Sequence, residues 1–301
     1  MQGKSYKNVL VSALLILLTS SAYAKDELLK PFVLASKGEG TVAEKSVQVK
    51  AALTAGGFTI AGEYSPYPEA DIIIVTNDEL KNNAADSKFG GYGAAQRVAV
   101  TEVGTQVQVS YTNPVYMAHA YRMKGDLSAV AASLASVLGN VEEFGAEGLK
   151  VKQIRGYHYT FGMEYFNEPS VLDEYDSYEE AIKAVDAGLA DNKNGVTKVY
   201  RVDVPGKEES VFGVAMHGEG EHKYMDDKFI MQEIDFHDLK STAHLPYEIL
   251  VSGNKVYALY ARFRIAINFP DLSMMGKHSF MNIMDAPDAI KTALQNTVKQ
   301  R

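Results

Sequence analysis

The sequence predicts an α+β protein made of two tandem similar units, each a mostly antiparallel four- or five-stranded sheet with helices packed on one face. Three observations carry this expectation. Helix-start signals recur at a spacing of 136 residues, at Thr41-Val42-Ala43-Glu44 and Ser177-Tyr178-Glu179-Glu180. Each is followed by an apolar face at helical period and then by two strand-like runs. Each unit then closes with a hairpin, a proline and a terminal amphipathic helix, the helices offset by 156. Helices at both ends of an antiparallel run of strands belong to the α+β layer arrangement rather than to alternating β and α elements.

The first 24 residues read as an address. Lys4 and Lys7 precede a short apolar run from Val9 to Leu18, and Ala22-Tyr23-Ala24 supplies small residues at a cleavage site. That is the pattern of a secretory signal peptide. The run is about half of the ~20 apolar residues that a membrane span needs, so cleavage after Ala24 and export to a bacterial periplasm are expected. Losing Lys4 and Lys7 would move the net charge from -8 to -10.

The first unit is placed at 25–140. It opens with a strand from Phe32 to Ser36, and the glycines of Lys37-Gly38-Glu39-Gly40 then read as a turn. At Thr41 a hydroxyl and the Glu44 carboxylate form a capping box, each able to satisfy the other's backbone N–H. Val42, Val49, Ala52, Leu53 and Gly56 share one face of the helix, which stops at Gly56-Gly57. Strands are expected from Phe58 to Tyr64 and from Asp71 to Thr76, with Phe89-Gly90-Gly91-Tyr92-Gly93 as a turn. A hairpin runs from Arg97 to Val103, turns at Gly104 and returns from Gln106 to Tyr111. Asn113-Pro114 starts a helix, because proline suits the first helical position and asparagine caps it. Leu127, Val130, Leu134 and Leu138 mark the terminal helix, and the glycine-rich stretch from Gly139 to Lys150 reads as the connection between units.

The second unit is placed at 150–301. Tyr157 to Phe166 is expected as its leading strand, since rings at alternate positions lie on one face of a strand. The helix after Ser177 carries Tyr178, Ile182, Val185 and Leu189 on one face and stops at Asn194-Gly195. Strands follow from Val196 to Val204 and from Ser210 to Met216, then an insertion around 218–243. The second hairpin is expected from Tyr247 to Val251 and from Val256 to Ile267. Asn268-Phe269-Pro270 then stands where a helix-starting proline is expected, before a terminal helix carrying Ile283, Ala286, Ile290 and Leu294.

Composition excludes several classes. The chain has no Cys, which removes disulfides, thiolate metal ligation and cysteine nucleophiles. Its 38 acidic against 30 basic residues argue against nucleic acid as a partner, because a duplex binder needs a clustered basic surface. No segment after residue 24 is long and apolar enough to be an integral membrane span. Neither a phosphate-binding Gly-rich loop ending in Gly-Lys-Ser/Thr nor a Gly-x-Ser-x-Gly elbow nor His-Glu-x-x-His occurs.

The segment Gln96 to Met123 resembles the bacterial family catalogued as domain of unknown function 302. Ser110, Tyr111, Pro114 and Tyr116 stand at the positions of that family's Ser-Tyr-x-x-Pro-x-Tyr segment, and Ser46 to Tyr64 is similar to its opening helix and strand. Leu245-Pro246 with Ile249-Leu250-Val251 resembles the family's Leu-Pro before the hairpin, while its proline segment is degraded to Ile267-Asn268-Phe269-Pro270. A His found after the proline in many family members is replaced by Tyr121 here and by Lys277 in the second unit. The resemblance implies a small α+β domain and no settled activity.

Two sets of candidate residues follow. For a small ligand or a periplasmic protein partner, Tyr111, Asn113, Tyr116, His119, Tyr157 and Tyr159 are the candidates. Their competing role is structural: helix capping for Asn113 and ring packing for the tyrosines. For copper or zinc, His217, His222, Met225 and Asp226 are the candidates, in a cluster that continues through Asp227, Met231 and His237 to His244; soft thioether and imidazole ligands suit copper. The spacing of His217 and His222 matches no standard zinc pattern, and a solvated acidic loop is the simpler account. Met274, Met275, Met281 and Met284 beside His278 are expected to fill core or interface gaps, as methionine commonly does. The leading expectation is non-enzymatic binding of a small ligand or protein partner in the groove between the units, since domain junctions favour pockets. Metal handling and an enzyme of unrecognised type are the alternatives; oligomeric state is not encoded in any pattern found.

Overall fold

The computed structural model describes residues 28–192 and 194–299. The signal peptide expected at 1–24 lies outside them. In chain order the first unit comprises β1 (Phe32–Gly38), α1 (Val42–Ala55), β2 (Thr59–Tyr67), β3 (Ala70–Thr76), α2 (Asp78–Asp86), β4 (Gln96–Val103), β5 (Gln106–Thr112), α3 (Pro114–Ala120), α4 (Ser128–Leu138) and β6 (Glu142–Phe144). A short α5 (Val151–Arg155) links it to β7 (Ser170–Glu174), α6 (Tyr178–Asp191), β8 (Val196–Asp203), β9 (Glu209–Met216), α7 (Asp227–Ile234), β10 (Tyr247–Ser252), β11 (Lys255–Ala258), α8 (Ala261–Asn268) and α9 (Ala286–Val298).

Both sheets are antiparallel and share one topology. The first runs β2-β3-β4-β5-β1-β6 and the second β7-β11-β10-β9-β8. Read from the edge strand that follows the first helix, the orders coincide, with β8 in the place of β2 and β7 in that of β1. The irregularities coincide as well: β2 carries a bulge between Ile60 and Gly62, and β8 one between Lys198 and Tyr200. The first sheet gains a sixth strand because β6, inside the expected connection, pairs Phe32 with Phe144 at its edge.

Capping chemistry sets the two leading helices. Thr41 and Glu44 form the full reciprocal box at α1, which buries Ser46, Val49 and Leu53. At α6 only one half forms, the Ser177 hydroxyl accepting the Glu180 N–H. That helix stops earlier than expected, at Asn192 in the left-handed region. Asn113 caps α3 through the N–H groups of Val115 and Tyr116, with Pro114 in the first turn.

Alternation along the strands builds a layered molecule. α1 packs on β2, β3 and β4 with α4 beside it, while α6 and α9 cover the far face of the second sheet. Val98, Val100 and Val109 are fully buried or nearly so on the helix side of the first sheet. Arg97, Thr101, Gln108 and Ser110 alternate with them and point at the second unit, where each finds a partner. The inner faces of the two sheets therefore meet. Each unit also sends its connection across the other's sheet: the Gly90–Gly93 turn lies against β9 and β10, and the Thr242–His244 turn against β3, β4 and β5.

Three expectations in the second unit are overturned. Tyr157–Phe166 is not a strand but a run of turns, and the leading strand is β7; the ladder that β11 offers reaches only Ser170 to Glu174. The return strand expected to reach Ile267 stops at Ala258, and Ala261–Asn268 is the helix α8. In α8 every residue except Arg262 is buried, so it lacks the polar face that gives a helix its period. Pro270 therefore follows a helix instead of starting one, and Pro287 occupies the first turn of the terminal helix. In the 218–243 insertion the acidic stretch around His217 to Lys223 is exposed, as a solvated loop would be, while the rest folds through short turns and α7 and buries Met225, Ile230, Met231 and Ile234.

Candidate functional site

The ligand candidates scatter. Tyr111 and Tyr116 are buried, and their hydroxyls donate to the carbonyls of Gly139 and Ile267 at 3.2 and 2.6 Å. Asn113 spends its oxygen on the α3 cap and its Nδ2 on the Lys30 carbonyl. Tyr157 donates to the Ala266 carbonyl at 3.0 Å, and Tyr159 reaches the Met274 thioether and lies tilted against the Phe280 ring. Their polar groups hold elements together. His119 is half-buried and lines an open concavity.

His217, His222 and Met225 line a cleft of about 480 Å3 between the insertion and α9. Asp226 does not line it; its Oδ1 caps α7 through Phe229 N–H and its Oδ2 accepts Gly218 N–H. His217 Nδ1 stands 3.8 Å from that carboxylate, His222 is largely exposed beside Glu221, and Met225 is 5% exposed within the core. Among the described residues no three His, Asp or Glu side chains are grouped as a metal ion would need.

The expected groove between units is where the structure concentrates unused chemistry. Two clefts, of about 730 and 440 Å3, share Phe236 and His278. The larger is walled by Lys30, Phe144 and Glu147 from the first unit and by His237, Asp271 and Lys277 from the second. The smaller is walled by Tyr67, Thr101 and Glu102 against Met231, Asp235 and Lys240. The Glu147 N–H donates to Asp271 Oδ2 at 2.6 Å and ties the two walls together.

Phe236 is 41% exposed and stands between two imidazoles, 4.2 Å from the His237 ring centre and 4.8 Å from that of His278, the latter stacked at 15°. His278 has a φ of 54°, a left-handed conformation that costs a non-glycine residue energy. Its Nδ1 is shielded from solvent without a hydrogen-bond partner among the described residues. The described residues thus leave the hydrogen-bonding capacity of this nitrogen unused, on a residue that lines both clefts.

The smaller cleft adds a titratable group. Asp235 is buried, accepts the Ser241 N–H at 2.8 Å, and meets Thr242, whose hydroxyl accepts from Thr101 at 3.0 Å and lies 3.4 Å from the Tyr67 hydroxyl. Burial pushes the Asp235 carboxyl up to about 7, against the lowering effect of its hydrogen bonds and of Lys240. A carboxyl near neutrality at a cleft wall is a marked site feature.

Sequence reasoning placed His237 and His278 within clusters but gave neither a partner, and Phe236 and Asp235 carried no signal. Their significance depends on loops far apart in sequence. The four methionines near His278 are also not core: Met274, Met275, Met281 and Met284 are 45, 74, 48 and 55% exposed. The loop that carries them folds back on itself, with Met281 N–H on the Met274 carbonyl, and so turns them outward. No helix among the described residues is long and apolar enough to cross a membrane. No family model, curated protein or solved structure matches the chain.

Proposed function

We propose that the protein is an exported binding protein that takes a small ligand with an apolar body and a hydrogen-bonding group in the groove between its two units. The observation that carries this reading is His278, whose buried Nδ1 has no partner among the described residues while its ring backs Phe236 at the junction of two clefts. A cleft of about 730 Å3 lies within the roughly 300–1,000 Å3 typical of small-molecule sites. The shared strand order supports descent of both units from one ancestral domain, of the kind that the Gln96–Met123 segment resembles, and duplication creates a junction where neither half alone offers a pocket.

Thermal-shift screening of the purified protein against aromatic and aliphatic metabolites, with Phe236→Ala and His278→Ala alongside, tests this. A compound that raises the melting temperature of the wild type and loses at least tenfold in affinity with either variant supports it. Ligands that bind both variants as well as the wild type, or no response from a well-folded sample, overturn it.

A further inference from the structure

A second concavity, sharing no lining residue with the groove, gathers the opposite of the chain's overall charge. It is an open depression of about 810 Å3 on the outer side of α3 and α5. Leu29, Val115 and Val151 supply apolar wall; Lys150, Lys152, Arg155 and the His119 imidazole supply the remainder, and among the described residues no carboxylate lines it. In a chain with 38 acidic and 30 basic residues this is a local reversal of sign.

Arg155 is held in place from behind. The Arg155 carbonyl accepts Arg122 Nε at 2.8 Å, and Arg155 Nη1 donates to the Met123 carbonyl at 3.2 Å while standing 3.4 Å from His119 Nδ1. Neither Arg155 nor Lys152 has a carboxylate partner among the described residues. Arg155 therefore has Nε and Nη2 left over, in the planar arrangement that matches a carboxylate or phosphate.

We propose that this depression binds an amphipathic anion, a carboxylate or phosphate headgroup carried on a short apolar chain. Arg155 and Lys152 would take the headgroup, and Leu29, Val115 and Val151 would cover the first carbons of the chain. His119 reports on occupancy. Burial and then the neighbouring Arg155 charge lower the pKa of its imidazole, with the Asp126 carboxylate opposing them. An anion that offsets Arg155 removes that second effect, so binding raises the pKa of His119 and strengthens as pH falls through its titration.

The probes are octanoate, octyl phosphate, inorganic phosphate and octanol, followed by calorimetry and by NMR titration of the His119 ring. Octanoate or octyl phosphate is expected to raise the His119 pKa by half a unit or more, inorganic phosphate to bind at least fivefold more weakly than octyl phosphate, and octanol not to bind. Arg155→Met should abolish the His119 response. Lys152→Gln, at an exposed position that leaves folding intact, should weaken octanoate at least threefold. An unmoved His119, octanol binding equal to octanoate, inorganic phosphate binding equal to octyl phosphate, or unchanged affinity in Lys152→Gln each overturns the proposal. Phe236→Ala should leave these readouts unchanged, which separates this site from the groove.

Discussion

Arg97 of β4 and Glu248 of β10 form an ion pair across the plane where the two sheets meet, with 3% and 0% of their side chains exposed. Arg264 of α8 adds a second guanidinium at 2.9 Å from the same carboxylate, donates to the carbonyls of Pro246 and His244, and lies 4.6 Å from the Tyr247 ring centre. One buried carboxylate thus serves two buried cations, one from each unit.

Glu248→Gln would leave both guanidiniums buried without their counter-charge. Removing one partner of a buried ion pair costs about 3–5 kcal/mol. Urea unfolding of this variant should show a loss of that order. A loss below about 1 kcal/mol would mean that water reaches the interface.

Gly62 lies where the edge strands β2 and β8 approach. A Cβ there would stand 2.3 Å from the Val199 carbonyl oxygen and 2.8 Å from Tyr200 Cβ. Backbone cannot yield as a flexible side chain can, so Gly62→Ala should cost about 1–3 kcal/mol through displaced sheets. Gly38→Ala, with nothing within 4 Å, is the control and should change stability by under about 0.5 kcal/mol. Equal melting temperatures for the two variants would contradict the close approach.

Asp227 and Asp235 flank α7, and burial pushes both carboxyls up to about 7 from an ordinary 3.8. Asp227 accepts the Tyr64 hydroxyl at 2.5 Å and Met216 N–H at 2.9 Å on one oxygen, and its other oxygen is buried without a partner among the described residues. Because the folded-state pKa is raised, the native protein holds protons that the unfolded chain has released. The contribution of these groups is therefore full below about pH 4, falls as pH rises, and is spent above about pH 7. Unfolding free energies measured from pH 4 to 8 should show this decline, and Asp227→Asn should flatten it. A steeper decline in the variant would be incompatible with a protonated Asp227.

The exposed methionines should differ sharply from the buried ones in reactivity. Under limited peroxide treatment Met274, Met275, Met281 and Met284 should become sulfoxides before Met117, Met123, Met216, Met225 and Met231, which are 5% exposed or less, with rates separated by roughly tenfold or more. Peptide mass spectrometry reads this directly. Early oxidation of Met117 or Met216 would contradict their burial.

The sequence by itself determined the class, the two-unit plan and most of the first unit, α2 and β6 excepted. Thr41 with Glu44, Asn113 with Pro114, and the alternation in Arg97–Tyr111 act through neighbours within a few residues, and local chemistry is fully written in the chain. It failed where packing overrides period. α8 is enclosed on almost every side, so its alternating Phe263, Ile265 and Ile267 mimicked a strand, and Arg264 among them is buried only because Glu248 receives it.

Only the tertiary structure decided which polar residues have work left to do. Tyr111, Tyr116 and Asn113 look available in sequence, yet backbone carbonyls and N–H groups consume them. Phe236, His278 and Asp235 gain meaning from the meeting of an insertion with a loop some 40 residues away and with the first sheet. Hydrogen-bond satisfaction and solvent shielding depend on what the whole fold places around an atom, and no local pattern encodes them.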